Sequence, residues 1–156
     1  MTLKKLRKLF HEQVFSPLHE KTGEDLYLTQ LSGSSRSFLV DYLSKKHKNV
    51  LVLFNEFDEA RFLQADLEAL GNKRGILFPP TNHKPYDNQQ VADTAMLVQR
   101  SEALDNIQSG KQKVVLTSTS ALFEKVASSK AFNRASIKIK KGEQLEPEKL
   151  RELLTE

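Results

Sequence analysis

The chain has 156 residues, 38% of them hydrophobic and 28% charged, with a formal net charge of +4 and no cysteine. That length and balance exclude a disordered chain and give one domain with a real core. The missing cysteines exclude disulfides, thiolate metal centres and a cysteine nucleophile, and no apolar run approaches the roughly 20 residues of a membrane span, so a cytoplasmic protein without membrane contact is expected.

Leu3, Leu6, Phe10 and Val14 recur at helical spacing with Lys4, Lys5, Arg7 and Lys8 between them. This predicts a leading basic amphipathic helix that ends near Ser16-Pro17, with residues 1–25 as helix and linker ahead of the main domain, 26–156. No signal-peptide core follows it. Leu26, Tyr27 and Leu28 are an apolar lead-in that can form a strand, and a helix with Phe38, Leu39, Tyr42 and Leu43 on one side follows.

Between them lies Gln30–Ser37 (QLSGSSRS), which has the length and placement of a nucleotide phosphate loop. Such a loop reads G-x-x-x-x-G-K-[ST], with glycines that let backbone N–H groups face phosphate oxygens. Here Gln30 and Ser35 replace the glycines, Arg36 replaces the lysine, and only Ser37 keeps its type; Gly33 and Ser34 lie inside. A planar guanidinium does not substitute neutrally for a compact ammonium in a phosphate cradle. The plain alternative is a Gly/Ser turn whose serine hydroxyls cap the helix.

Asn49–Phe54 (NVLVLF) has the continuous apolar character of a buried parallel strand. Asn55 is the expected cap of the next helix, which carries Phe57, Ala60, Leu63, Leu67 and Leu70 and stops at Gly71. Ile76–Phe78 is a short strand closed by Pro79-Pro80, and a polar loop follows over residues 81–90. The spacing then predicts a helix over 92–108, with Met96, Leu97, Leu104 and Ile107 inward, closed by Ser109-Gly110. Val114–Leu116 is the next strand, and Thr117–Ser120 offer hydroxyl caps for a short helix through Val126. Ile137 and Ile139 alternate with lysines as in an edge strand, and Pro147 opens a last helix over 148–154 that implies a cut chain or a domain boundary. Alternating strands and helices give a mostly parallel sheet with helices on both faces, whose ligands bind at the carboxyl ends of the strands.

Catalytic patterns are missing. In LVLFNEFD, Leu51–Asp58, asparagine stands where a magnesium-binding aspartate belongs, and Glu56 and Asp58 suit a first helical turn. His11, His19, His47 and His83 have no metal-ligand spacing and are expected on exposed helices and loops. There is no G-x-S-x-G elbow. The basic clusters at Lys4–Lys8, Lys45–Lys48, Lys111–Lys113 and Lys138–Lys141 read first as solvated surface. Lys45, Lys46, Lys48, Lys140 and Lys141 are the candidate contacts to a phosphate backbone.

Several segments agree, in order, with one family. Leu28–Ser37, Phe78–Asp87 (FPPTNHKPYD, with Pro85, Tyr86 and Asp87), the helix bearing Gln99, Arg100 and Leu104, Val114–Leu122 and the stretch from Lys140-Lys141-Gly142 to Leu150 resemble the N-terminal UvrB-like module of bacterial transcription-repair coupling factors (Mfd). The resemblance covers residues 26–156. It implies a three-layer P-loop NTPase-like α/β domain whose phosphate loop has decayed. It also implies a parent that translocates on DNA with ATP, displaces stalled RNA polymerase and recruits UvrA through an adjoining subdomain. The segment itself is then a non-catalytic scaffold without cofactor or metal, docked on the rest of the parent, where it supports UvrA docking and autoinhibitory packing. It departs from UvrB in having no long tyrosine-rich hairpin between Phe78 and Ala92, where only Tyr86 remains, so damage verification is not expected of it. The alternatives are a weak nucleotide-binding domain using Arg36 and Ser37, and a nucleic-acid-binding module using the lysine clusters.

Overall fold

A computed structural model describes residues 2–21, 23, 25–81, 94–111, 113–135, 142, 147–148 and 151. The chain divides into two compact units, Met1–Lys125 and Val126–Glu156. In the second, the described helix is α6 (Ser129–Ala135), where the Ser128 hydroxyl accepts from the Ala131 N–H. The expected edge strand at Ile137 and Ile139 lies outside the described residues, as does most of the expected last helix.

The first unit is built on three parallel strands, β1 (Asn49–Phe54), β2 (Gly75–Phe78) and β3 (Lys113–Ser118), in the order β1-β3-β2. Asn49 pairs with Lys113 and Phe54 with Ser118 on one side of β3, and Gly75 pairs with Val114 on the other. As the central strand, β3 buries Val114 and Leu116 completely. The helices α2 (Ser35–Lys46) and α3 (Phe57–Ala69) cover one face of the sheet. There Val40, Ala60, Leu63 and Leu67 pack with Leu77, Val114 and Leu116. Each fully buried leucine contributes about 1.5–3 kcal/mol of transfer free energy. Ala60, Leu63 and Leu67 share one face because of their 3.6-residue periodicity. Gly71 ends α3 at φ 75°, donating to Glu68 while the Asn72 N–H donates to Leu67, both at 2.8 Å. This pair of bonds satisfies the last helical carbonyls and needs a left-handed residue, as the sequence predicts.

The opposite face is covered over β2 and β3 by α4 (Thr94–Gln108) and the short α5 (Thr119–Leu122), with Phe78, Ala103 and Ala121 at the centre. Over β1 the cover stops. Leu51 and Leu53 remain 60% and 46% exposed, so β1 is parallel but not buried on both faces as its apolar run predicts. Its position at the sheet edge, beyond the reach of α4, is the reason.

Other sequence expectations also change. Leu26–Leu28 form no strand; all three side chains are exposed, Tyr27 by 92%. A three-residue run that buries nothing has no packing to hold it in a sheet. Glu56, in extended conformation, takes the N-cap position of α3 without a side-chain bond, displacing Asn55. The helix after β3 stops at Leu122 rather than Val126, and just beyond it the Glu124 carboxylate accepts from the Thr81 N–H at 2.8 Å. Its hydroxyls serve elsewhere: Thr117 donates to the Phe78 carbonyl and Ser118 pairs with Ser120. In α4 the inward residues are Arg100 and Ala103, whereas Leu97 and Ile107 are exposed. Arg100 takes an inward place because its guanidinium has partners there: the buried Pro79 carbonyl at 2.6 Å, the half-buried Glu124 at 3.1 Å and the Phe78 ring centroid at 4.2 Å.

The leading segment belongs to this unit rather than standing apart. After α1 (Leu3–Leu9) the chain tightens through a π turn (Phe10–Val14) and a 3-10 turn (Ser16–Lys21). Phe10 stacks on Phe38 with centroids 4.7 Å apart, and Phe15, Phe38, Tyr42 and Leu70 form a second core. Among the described residues no helix is long and apolar enough to cross a membrane.

Candidate functional site

The loop Gln30–Ser37 approaches the carboxyl end of β1, where an open α/β sheet presents its ligand crevice. Its backbone turns left-handed at two positions. Gln30 has φ 62°, the one non-glycine residue with positive φ among those described, and Gly33 has φ 53°. The residue in the first glycine's place therefore adopts the conformation that glycine favours, and the side chain at Gln30 does not prevent it. The start of α2 is not serine-capped. Ser34 is the N-cap without a side-chain bond, and the Ser35 hydroxyl instead donates back to the Ser32 carbonyl at 2.7 Å.

A cavity of about 200 Å³ opens beside the loop, between Arg36, Ser37, Phe54, Glu59, Phe62 and Asp66. The volume would admit a phosphate group, but the chemistry opposes one. Ser37 is 2% exposed, and its hydroxyl donates to Asp66 Oδ2 at 2.5 Å. Arg36 Nη1 lies 3.4 Å from Glu59 Oε2. Both acids come from α3, seven residues apart and so on one helical face. With one guanidinium against two carboxylates, the lining is net negative and repels a polyphosphate. The hydroxyl that would meet magnesium is already engaged, and among the described residues no cluster of three metal-ligating side chains occurs. Glu59 and Asp66 are the site residues that sequence reading misses; their i, i+7 spacing was the available signal.

A second polar centre ties the leading segment to the domain. Asp41 on α2 is fully buried, with Oδ1 accepting from Arg7 Nη2 at 2.5 Å and Asn72 Nδ2 at 2.9 Å, and Oδ2 accepting from Arg7 Nε at 2.6 Å. Lys45 Nζ stands 3.3 Å from Oδ2. Burial alone would raise the Asp41 pKa, but the Arg7 fork, Lys45 and Asn72 outweigh it and hold the carboxyl below its ordinary value. His11 is not the exposed histidine that the sequence predicts. Its Nε2 lies 3.0 Å from Asp41 Oδ2, without hydrogen-bond alignment, and its ring meets Tyr42 edge-on. Burial, then Lys45 and Arg7, lower its pKa against the opposing pull of Asp41. His47 is exposed, as expected.

The other sequence candidates divide. Lys45 is committed to Asp41, Lys46 lies 5.8 Å from the Tyr42 ring centroid, and Lys48 is exposed just before β1. Pro85, Tyr86, Asp87, His83, Lys140 and Lys141 lie outside the described residues, as does the His19 side chain. Comparison with family models, curated proteins and solved structures finds no match, so the site is interpreted from its own geometry.

Proposed function

We propose that this chain is a non-catalytic scaffold module of P-loop NTPase-like descent, the UvrB-like first subdomain of a transcription-repair coupling factor, acting in the cytoplasm. In this reading it docks on the rest of a DNA translocase, which displaces stalled RNA polymerase and recruits UvrA through the adjoining subdomain. The observation that carries the non-catalytic part is the engagement of Ser37 by Asp66 beside the Arg36–Glu59 pair. These contacts turn the loop toward α3 and leave the cavity net negative. The left-handed backbone at Gln30 and Gly33 supports descent from a glycine-rich loop, since a plain serine-capped turn gives no reason for a glutamine there. The family part rests on the ordered segments from Leu28 to Leu150.

The test uses the full-length product of the gene in an assay of ATP-driven displacement of stalled RNA polymerase. The double variant Arg36→Ala/Ser37→Ala is expected to keep the wild-type ATPase rate and displacement. A large loss of ATP turnover in that variant would restore a working nucleotide site here. A full-length product without any ATP-driven displacement would remove the family assignment.

A further inference from the structure

The sequence presents its basic runs as separate clusters, but a parallel sheet gathers whatever precedes its strands at one edge. Lys45–Lys48 precede β1, Lys73 and Arg74 precede β2, and Lys111 precedes β3, which begins with Lys113. Backbone bonds fix the arrangement. The Lys113 N–H donates to the Lys48 carbonyl and the Val114 N–H to the Arg74 carbonyl, both at 3.0 Å. Lys48 and Arg74 therefore flank the start of β3, about two strand spacings or roughly 10 Å apart. Lys113 itself is buried, its Nζ without a hydrogen-bond partner. Burial, with Lys111 and Lys48 nearby, lowers its pKa against the pull of Asp105.

Most of this charge is not neutralised from within. Lys48, Lys73, Arg74 and Lys111 form no ion pair with a carboxylate among the described residues. A cavity of about 320 Å³ opens on the same edge, lined by Arg7, Lys45, Lys73 and Arg74 together with Asp41, whose charge is already met by Arg7 and Lys45. Arg74 is held in place by its bond to the Ser44 carbonyl at 2.6 Å. Clustered, unpaired cations on a rigid edge are the footprint of a polyanionic ligand.

We infer that the amino edge of this sheet binds the phosphate backbone of a nucleic-acid duplex, through Lys46, Lys48, Lys73, Arg74 and Lys111. A duplex fits better than a single strand, because single-strand binders stack bases on exposed aromatics. Among the described residues, Tyr42, on α2 just before this edge, is buried, with Lys46 5.8 Å from its ring centroid. Exposed Phe62 lines the loop cavity at the opposite, carboxyl end of β1. The row of cations is comparable in width to a duplex groove, about 6–12 Å. Contacts of this kind are independent of sequence and strongly dependent on salt.

The test is fluorescence anisotropy of a labelled duplex and of a single strand of equal length, with salt varied between about 50 and 200 mM. The wild type is expected to bind the duplex more tightly, with log affinity falling linearly against log salt. The exposed-site variant Lys46→Gln/Lys48→Gln/Lys73→Gln/Lys111→Gln is expected to lower that slope by about four, one for each lysine. The control Lys4→Gln/Lys5→Gln/Lys8→Gln/Lys125→Gln makes the same change in net charge and is expected to leave the slope unchanged. If the edge variant loses native circular dichroism, single Lys73→Gln and Lys111→Gln substitutions replace it, each lowering the slope by about one. No duplex binding at low salt, an equal loss in the control, or preference for the single strand would each overturn the inference. None of these results depends on the state of the loop at Ser37.

Discussion

Ser37 on α2 and Asp66 on α3 are joined by a 2.5 Å hydrogen bond at the position where a phosphate loop would hold its metal ion. The bond directs Ser37, the one residue that matches the phosphate-loop pattern by type and position, into the protein. Ser37→Ala is expected to destabilise the domain by about 1 kcal/mol, the ordinary net value of one hydrogen bond, because Asp66 is exposed and can turn to water. Urea denaturation measures it, and a loss of several kcal/mol would mean the serine supports more than this contact.

Asp41 anchors the leading segment, so its partners predict both stability and pH response. Removing one member of a buried ion pair costs about 3–5 kcal/mol. Arg7→Ala is expected near the lower end, since Lys45 and Asn72 still face the carboxylate. Chemical denaturation of the variant, with the wild type alongside, gives the value.

The pH response follows from two lowered pKa values. The folded Asp41 pKa is depressed, so its contribution is present above the unfolded value of about 3.9 and lost as pH falls through the folded one. His11 is also depressed when folded, so the unfolded chain takes up its proton first and stability begins to fall below about pH 6.5. His11→Gln is expected to flatten the stability curve just below that pH and leave the more acidic limb in place. An unchanged curve in thermal melts across this range would exclude His11 as the source.

Arg100 holds the end of β2 through the Pro79 carbonyl and Glu124, with its fork over Phe78. Arg100→Ala is expected to cost about 3 kcal/mol by leaving the Pro79 carbonyl unmet and the half-buried Glu124 carboxylate with the Thr81 N–H alone. Arg100→Lys should recover part of it, because one nitrogen, Nη1, makes both polar contacts, whereas the planar stacking on Phe78 is lost. Comparing the two variants by denaturation separates geometry from charge.

Much of the fold was legible because it followed periodicity. The apolar face of α3 and its stop at Gly71 came directly from spacing and from the backbone freedom of glycine, and the valine-rich runs marked β1 and β3. What the sequence hid was tertiary. A window around α4 cannot show that Arg100 meets Pro79 and Glu124, so Leu97 and Ile107 looked like part of its inward face. His11 read as a surface residue and Asp41 gave no signal, because their partners lie on other elements. The candidate loop was legible by its pattern at Gln30–Ser37, but the acids that oppose phosphate there belong to α3.

Gln30→Gly separates loop shape from loop chemistry. An L-residue in the left-handed region costs about 1–2 kcal/mol, partly offset by the greater freedom of glycine in the unfolded chain. A small gain in thermal stability is expected, with no gain of nucleotide binding. A loss of stability would show that the glutamine side chain makes contacts that outweigh the backbone strain.

The proposal that this loop holds no nucleotide is tested most directly by titration of the purified chain with a fluorescent ATP analogue and magnesium at low ionic strength. No saturable binding is expected up to millimolar nucleotide, both for the wild type and for Gln30→Gly/Ser35→Gly/Arg36→Lys, since Glu59 and Asp66 remain in place in both. Saturable, magnesium-dependent binding by the wild type, weakened in Arg36→Ala, would contradict it.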